Sequence, residues 1–459
     1  MIGVNLQLFD NTTPRANLSN IQAMWWDVTE PKDGTSPIGK SSSVTTDANG
    51  YINLDLSKVT GLSTGDYGFL MLYKLDGTDY KDSSVFAGKV QTSDITSGVD
   101  MYYYNSGWTR PTDWPEIDSP VNGVEKVQGL FAVYDVETGG NGVALICNDN
   151  YTVDWGDGTV LNYNPGVTAE HIYDYSNSNL SPATSEGFKC AVVTITPQSG
   201  HHLTSVDFNV THSNYTPTKV VPWLEFAFNG SYITNITISH GTTTNIFPYM
   251  LYQVSLGENA ITDMTQLFYE CSLLQSIPLF NMSSATSLNS LFYSCSSLRS
   301  VPPMDTSSVT DMAGMFAKCT SLMSIPPMDT SLVTTMNSIF EWDYMLRTIP
   351  FMDTSSVTDM RYMFYSCKSL QSIPILDASS VIETDYMFSQ CPSLQKGALS
   401  GLKVTTSYYA CKLGPDALNE IYSNLAASGY SPVLNVKGNW GVGSDNQSLV
   451  PAGWTVNDS

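Results

Sequence analysis

Charge is what this 459-residue chain has least of, and basic charge least of all. Twenty Lys and Arg stand against 43 Asp and Glu, for a net charge of −23. So acidic a surface repels phosphate backbones, which removes nucleic acid from the expected partners. It also disfavours direct seating on anionic lipid. No apolar run approaches the roughly 20 residues that a membrane-spanning helix needs. The histidines, His171, His201, His202, His212 and His240, include no pair at metalloprotease spacing. No Ser-His-Asp arrangement, P-loop or dinucleotide fingerprint occurs in the required context. The expectation is a protein that is not an enzyme and has no cofactor.

The N-terminus lacks a basic region and a long apolar core. From Ile2 to Leu8 it alternates like a strand, and the first positive side chain is Arg15. This start speaks against Sec export and for assembly in a cytoplasm.

What the chain has in quantity is repetition. Cysteine falls at 271, 295, 319, 367 and 391, a 24-residue ruler whose missing mark, 343, is an aspartate. A fixed period over six units points to stacked repeats, because one unit cannot bury its own apolar stripe. The clearest copy runs from Met312 to Thr335. Met312, Met315, Phe316 and Cys319 stand at i, i+3, i+4 and i+7, which predicts a short helix with Thr310 as its N-cap. Leu322 and Ile325 enter a short strand, and Asp329-Thr330-Ser331 turns the chain. The ladder cysteines are expected as buried free thiols.

Residues 1–100 read as a small β-sandwich for attachment, and 101–124 as a linker with Trp108 and Trp114 as aromatic anchors. A second β unit covers 125–205. It contains Trp155-Gly156-Asp157-Gly158 and, later, His171-Ile172-Tyr173. This pair of segments resembles the signature of polycystic-kidney-disease (PKD) type immunoglobulin-like domains, which implies a spacer or a ligand-binding module. Residues 206–263 read as an irregular N-terminal cap, 264–407 as the repeats and 408–459 as a C-terminal cap. In the last, Leu418, Ile421, Tyr422 and Leu425 share one helix face behind Pro415.

The repeat resembles the BspA-like leucine-rich repeat of bacterial and phage surface proteins, through Met-x-x-Met-Phe-x-x-Cys and Leu-x-x-Ile-Pro. The departures are Trp342-Asp343-Tyr344 and a degenerate last unit after Cys391. The expected fold is therefore multidomain, with N-terminal all-β immunoglobulin-like sandwiches followed by a leucine-rich-repeat α/β solenoid. The domain order also looks like that of tailed-phage virion proteins.

Chemistry-bearing residues have mostly structural roles on this reading. Asp154 and Asp157 flank a Gly turn and could ligate calcium, but turn stabilisation is the expected role and no metal is assigned. Asp305, Asp329, Asp353 and Asp377 form a second ladder. Carboxylates about 5 Å apart suit retaining glycosidases, yet each precedes Thr-Ser or Ala-Ser in a turn, so capping is expected. Tyrosine recurs at outward positions where no core requires it, and rigid aromatics with polar tips suit binding. The candidate binding patch is Trp342, Tyr344, Tyr362, Tyr365 and Tyr386. The expected function is a virion structural protein of a tailed phage, a tail fibre or capsid decoration on the particle surface. Its partners would be other virion proteins and a host-surface protein or glycan, without membrane insertion, and self-association stays open. A bacterial cell-surface adhesin is the alternative, and a polysaccharide depolymerase the third reading.

Overall fold

The computed structural model describes residues 110–458, apart from 136–140, 211, 214–221, 239–249, 276, 278–279 and 303, and ahead of them the backbone of nine strands. These are β1 (Gly3–Asp10), β2 (Thr13–Pro14), β3 (Ile21–Asp27), β4 (Gly39–Lys40), β5 (Tyr51–Asp55), β6 (Tyr67–Asp76), β7 (Asp79–Asp82), β8 (Ala87–Gln91) and β9 (Asp100–Asn105). One sheet places β1 against β2 and β5 antiparallel and against β9 in parallel. The other joins β3 to β4 and β6, and β6 to β7 and β8, all antiparallel. The expected β domains fit this arrangement, with β9 running from the end of the first into the stretch read as a linker. Trp108 and His240 lie outside the described residues.

The chain forms two compact units. One comprises Trp108–Leu298 and Asp311–Thr320, the other Met1–Gly107, Arg299–Thr310 and Ser321–Ser459.

The first unit is built on ten strands: β10 (Lys126–Val133), β11 (Gly142–Cys147), β12 (Tyr151–Asp154), β13 (Val160–Tyr163), β14 (Ala169–Ile172), β15 (Lys189–Pro197), β16 (Ser205–Asp207), β17 (Trp223–Asn229), β18 (Asn235–Thr237) and β19 (Gln253–Leu256). They make a six-stranded sheet in the order β13-β12-β15-β10-β17-β19 and a four-stranded one in the order β14-β11-β16-β18. Residues 206–263, read from sequence as an irregular cap, thus supply strands to both sheets. The reason is physical: every residue of β17 is buried, so it shows no alternation to mark it as a strand. Gly129 on β10 permits the packing, since a Cβ there would lie 2.5 Å from Cζ3 of Trp223. Arg110 fastens the preceding segment. Its Nε donates to Glu225 Oε1 at 2.7 Å and its Nη1 to the Trp114 carbonyl at 3.1 Å. Trp114 is buried among Leu130, Phe188 and Leu224.

The two halves of the Trp-Gly-Asp-Gly and His-Ile-Tyr signature meet. The Trp155 indole stacks on His171 with ring centres 5.0 Å apart, and the Tyr173 hydroxyl donates to the Trp155 carbonyl at 2.8 Å. Asp157 is buried. Its Oδ1 accepts from the Thr159 amide and its Oδ2 pairs with His171 Nε2 at 2.8 Å, while Asp154 Oδ1 accepts from the Gly156 amide. Both aspartates are thus engaged in the turn. Burial alone would raise the Asp157 carboxyl, but the bonds from His171 and Thr159 outweigh it and hold it below its ordinary 3.8. A depressed carboxylate stabilises the fold above its unfolded pKa, and that contribution disappears as pH falls through the folded one. Asp157→Asn is therefore expected to cost about 1–3 kcal/mol at neutral pH. Urea denaturation should show the gap closing below pH 4.

The α/β leucine-rich-repeat solenoid expected for 264–407 is not what forms. The 24-residue units hold no helix where one was predicted, and strand outweighs helix among the described residues. The single α-helix described is α1 (Pro415–Asn424), with Leu418, Ile421 and Tyr422 buried as its pattern foretells. In the units, two residues four positions apart adopt left-handed backbone: Gln266 and Glu270, Ser290 and Ser294, Ser338 and Trp342, Tyr362 and Ser366, Tyr386 and Gln390, at φ 55 to 68°. A right-handed helix cannot pass through such residues. Instead, turns follow one another, as in Leu267 N to Met264 O, Tyr269 N to Gln266 O and Cys271 N to Phe268 O. Intervening amides reach the next unit.

In the first unit those bonds include Gln266 N to Asn289 O, Phe268 N to Leu291 O and Glu270 N to Tyr293 O. In the second, Ser338, Phe340 and Trp342 donate to the carbonyls of Arg361, Met363 and Tyr365, and Tyr362, Phe364 and Ser366 to those of Asp385, Met387 and Ser389. The apolar positions still turn inward, with Met360, Met363, Phe364, Cys367 and Leu370 all buried. The spacing i, i+3, i+4, i+7 therefore marks a buried face here without a helix.

All eight cysteines are free and buried. Their thiols have a specific use: Cys319 Sγ donates to Phe292 O at 3.1 Å, and Cys367 and Cys391 to Phe340 O and Phe364 O at 3.0 Å. Burial pushes the Cys391 thiol up to about 12, which suppresses the reactive thiolate. The aspartate ladder caps turns, each Oδ1 of Asp305, Asp329, Asp353 and Asp377 accepting the amide two residues on. Next to it runs a buried column in which Thr306, Thr330 and Thr354 donate to the carbonyls of Asp329, Asp353 and Asp377 at 2.8 Å.

Candidate binding surface

The left-handed residues decide what the second unit displays. At Trp342, Tyr362 and Tyr386 the backbone is left-handed, and these side chains lie away from the buried Met-Phe-Cys face. The turns that place them are held by the bonds from Trp342 N to Tyr365 O at 2.7 Å and from Tyr362 N to Asp385 O at 2.9 Å. The 24-residue period then brings equivalent side chains alongside each other.

All five predicted residues fall in one continuous series of ring contacts. Tyr344 meets Trp342 with centres 6.2 Å apart, and Trp342 meets Tyr365 at the same distance. Tyr365 stands edge-on to Tyr362 at 5.7 Å, and Tyr362 stacks on Tyr386 at 5.1 Å. Exposure differs among the five. Tyr386 is 58% exposed and Trp342 38%, while Tyr344, Tyr362 and Tyr365 are half-buried. Such rings lose little freedom on binding because neighbours already fix them.

Polar groups border the strip. Lys368 lies over Tyr344 at 4.3 Å, a cation–π contact. Gln390 Nε2 donates to the Tyr365 hydroxyl at 2.9 Å and is itself held by Ser366. Arg361 pairs with Asp359 at 2.7 Å and Glu383 at 2.8 Å. These bonds, Asp359 first, hold Arg361 firmly in its charged form. The surface offers apolar faces, hydroxyls and paired charges, and suits recognition of protein or sugar.

Asp343, beside the strip, does not make its turn bulge. It is fully buried in the cysteine position, and the neighbouring bonds from Phe340 and Trp342 to Met363 and Tyr365 continue unbroken.

Nothing in the sequence marks Lys368 or Gln390, since a lone cation or amide carries no sign of a tyrosine neighbour. A shorter aromatic pair in the first unit lies outside the candidate patch. Tyr269 stacks on Tyr293 at 4.8 Å, and Lys318 lies 4.6 Å from the Tyr293 ring centre. Here a signal was present: tyrosine stands two residues before the ladder cysteine at 269, 293 and 365.

Among the described residues no group of three or more His, Cys, Asp and Glu could hold a metal ion. No described helix is long and apolar enough to cross a membrane.

Comparison with known families gives one match in the repeat region. A family described as "Mycoplasma protein of unknown function, DUF285" is similar over residues 256–343 and again over 298–401. No curated protein matches the chain.

Proposed function

We propose that this chain is a non-enzymatic virion structural protein of a tailed phage, exposed on the particle as a tail fibre or capsid decoration. On this reading the β domains attach it to other virion proteins. The repeat region binds a host-surface protein or glycan, or a neighbouring subunit. The observation that carries the reading is the aromatic strip from Tyr344 to Tyr386, five rings in successive contact, two of them exposed and three half-buried. Supporting it, the acidic ladders serve as turn caps, which leaves the carboxylates without a catalytic arrangement. The contact between Trp155 and His171 fits a PKD-like spacer or binding module.

Mass spectrometry of purified particles tests location, and absence of the chain from them would refute a virion role. Binding is tested with the double variant Tyr362→Ala/Tyr386→Ala. It is expected to reduce adsorption to host cells about tenfold or more while shifting stability by no more than about 1 kcal/mol. Unchanged adsorption would remove the strip from the interface.

A bacterial cell-surface adhesin is the second reading. The similarity of 256–401 to a family described from Mycoplasma favours it. Protease accessibility on intact cells, without phage induction, would separate the two.

A further inference from the structure

One groove of the second unit shares no lining residue with the aromatic strip. It measures about 720 Å³ and is lined by Gln395, Lys396, Lys412, Asp416, Glu420 and Trp440, together with Gly414, Pro415 and Ala417. That volume is in the range of pockets that hold small ligands. Trp440 is its most unusual member. It is 70% exposed, yet held in place twice over. Its Nε1 donates to the Lys412 carbonyl at 3.0 Å. Its ring lies so close to Gly414 that a Cβ there would come within 2.5 Å of Cζ2. Gly441 allows the backbones to meet, since a Cβ on it would fall 2.4 Å from the Gly414 carbonyl carbon. With the indole N–H already satisfied inside the protein, what Trp440 offers to solvent is a fixed apolar face.

The rim is polar and of both signs. Lys396 pairs loosely with Glu420 at 3.7 Å, and Lys412 and Asp416 add one charge each, so two cations offset two carboxylates. A purely apolar ligand would strip water from these groups without replacing its hydrogen bonds. A nucleotide phosphate would meet Asp416, Glu420 and a chain of net charge −23. A pyranose satisfies both parts, placing its C–H face on the indole and its hydroxyls toward the amide, ammonium and carboxylate groups. We propose that this groove is a saccharide-binding site with Trp440 as its platform and Gln395, Lys396, Asp416 and Glu420 as its hydrogen-bonding rim. The site is separate from the aromatic strip and does not depend on the function proposed for it.

The test uses the full chain with N-acetylchitotriose and cellotriose, whose equatorial substituents leave flat C–H faces. Isothermal titration and saturation-transfer NMR should show binding of at least one, with transfer strongest at ring protons of one sugar. Trp440→Ala should weaken it about tenfold or more, the scale of a lost stacking contact. Trp440→Phe should stay within about threefold of the parent, because the platform persists. Tyr430→Ala, an exposed ring outside both the groove and the strip, should bind as the parent does. No binding of either sugar, or equal affinity in Trp440→Ala, would overturn the proposal. Retention in Trp440→Ala with loss in Tyr362→Ala/Tyr386→Ala would place the sugar on the strip and overturn it too. If Trp440→Ala does not fold, Glu420→Ala carries the test, and unchanged affinity there overturns it.

Discussion

Arg110→Met is expected to destabilise the first unit by about 3–5 kcal/mol, because it leaves Glu225 buried without its cation. Glu225 has no exposed surface. The Arg110 guanidinium at 2.7 Å supplies the one hydrogen bond to Oε1, and Oε2 has none. Burial already raises the Glu225 carboxyl above its ordinary range, and Arg110 only partly opposes that. Removing Arg110 removes the opposition. For an acid with a raised folded pKa, stability is fully present below the unfolded value and is lost as pH rises through the folded one. The Arg110→Met variant should therefore lose more stability between pH 4 and pH 7 than the parent does. The double variant Arg110→Met/Glu225→Leu should recover much of the loss, since replacing a buried pair by apolar groups is often neutral. Chemical denaturation of the four-member cycle measures this. A small loss in the single variant would mean that water reaches Glu225.

The second large effect is expected at Phe364. Its ring is fully buried between Phe340 and Phe388, with centres 5.7 Å away on each side. Phe364→Ala deletes a member of that column and should cost about 3–5 kcal/mol. The neighbouring thiol gives a graded control. Cys391→Ser keeps a donor for the Phe364 carbonyl, whereas Cys391→Ala removes the 3.0 Å bond and should cost about 1 kcal/mol more than the serine variant. Equal losses would show that the thiol acts by volume alone. Hydrogen exchange should locate the Phe364→Ala damage in the amides of 336–342 and 360–366, which donate between turns.

How much of this was legible in the sequence depends on which physical signal each part leaves. The buried face of the units was legible, because Met360, Phe364, Cys367 and Leu370 recur at a fixed period whatever the backbone does. The helix inferred from the same residues was not, because i, i+3, i+4, i+7 spacing reports a face and leaves open the conformation that makes it. What excludes the helix is left-handed backbone at Ser338, Trp342, Tyr362 and Ser366, and none of these is a glycine that would have flagged it. Gly314 is the exception, and one glycine in a single unit is a weak sign. Strand β17 was missed for the opposite reason, since complete burial erases alternation. The aromatic strip was legible because tyrosine recurs at positions of the period that the buried Met-Phe-Cys face does not use. Trp440 was not, since its partners Gly414 and Lys412 come from a different turn of the chain and no period links them.

The bond pattern between turns carries a consequence for how such a chain can change over generations. The amide of Ser338 serves the carbonyl of Arg361 and that of Tyr362 serves Asp385, each 23 positions ahead. Excision or duplication of 24 residues leaves each of these donors facing an acceptor of the same kind, whereas a change of 23 or 25 misaligns the bonds that span the altered copy. Gene-level gain and loss of whole copies is thus structurally cheap, and it rearranges the display of Trp342, Tyr362 and Tyr386 without requiring any new interior.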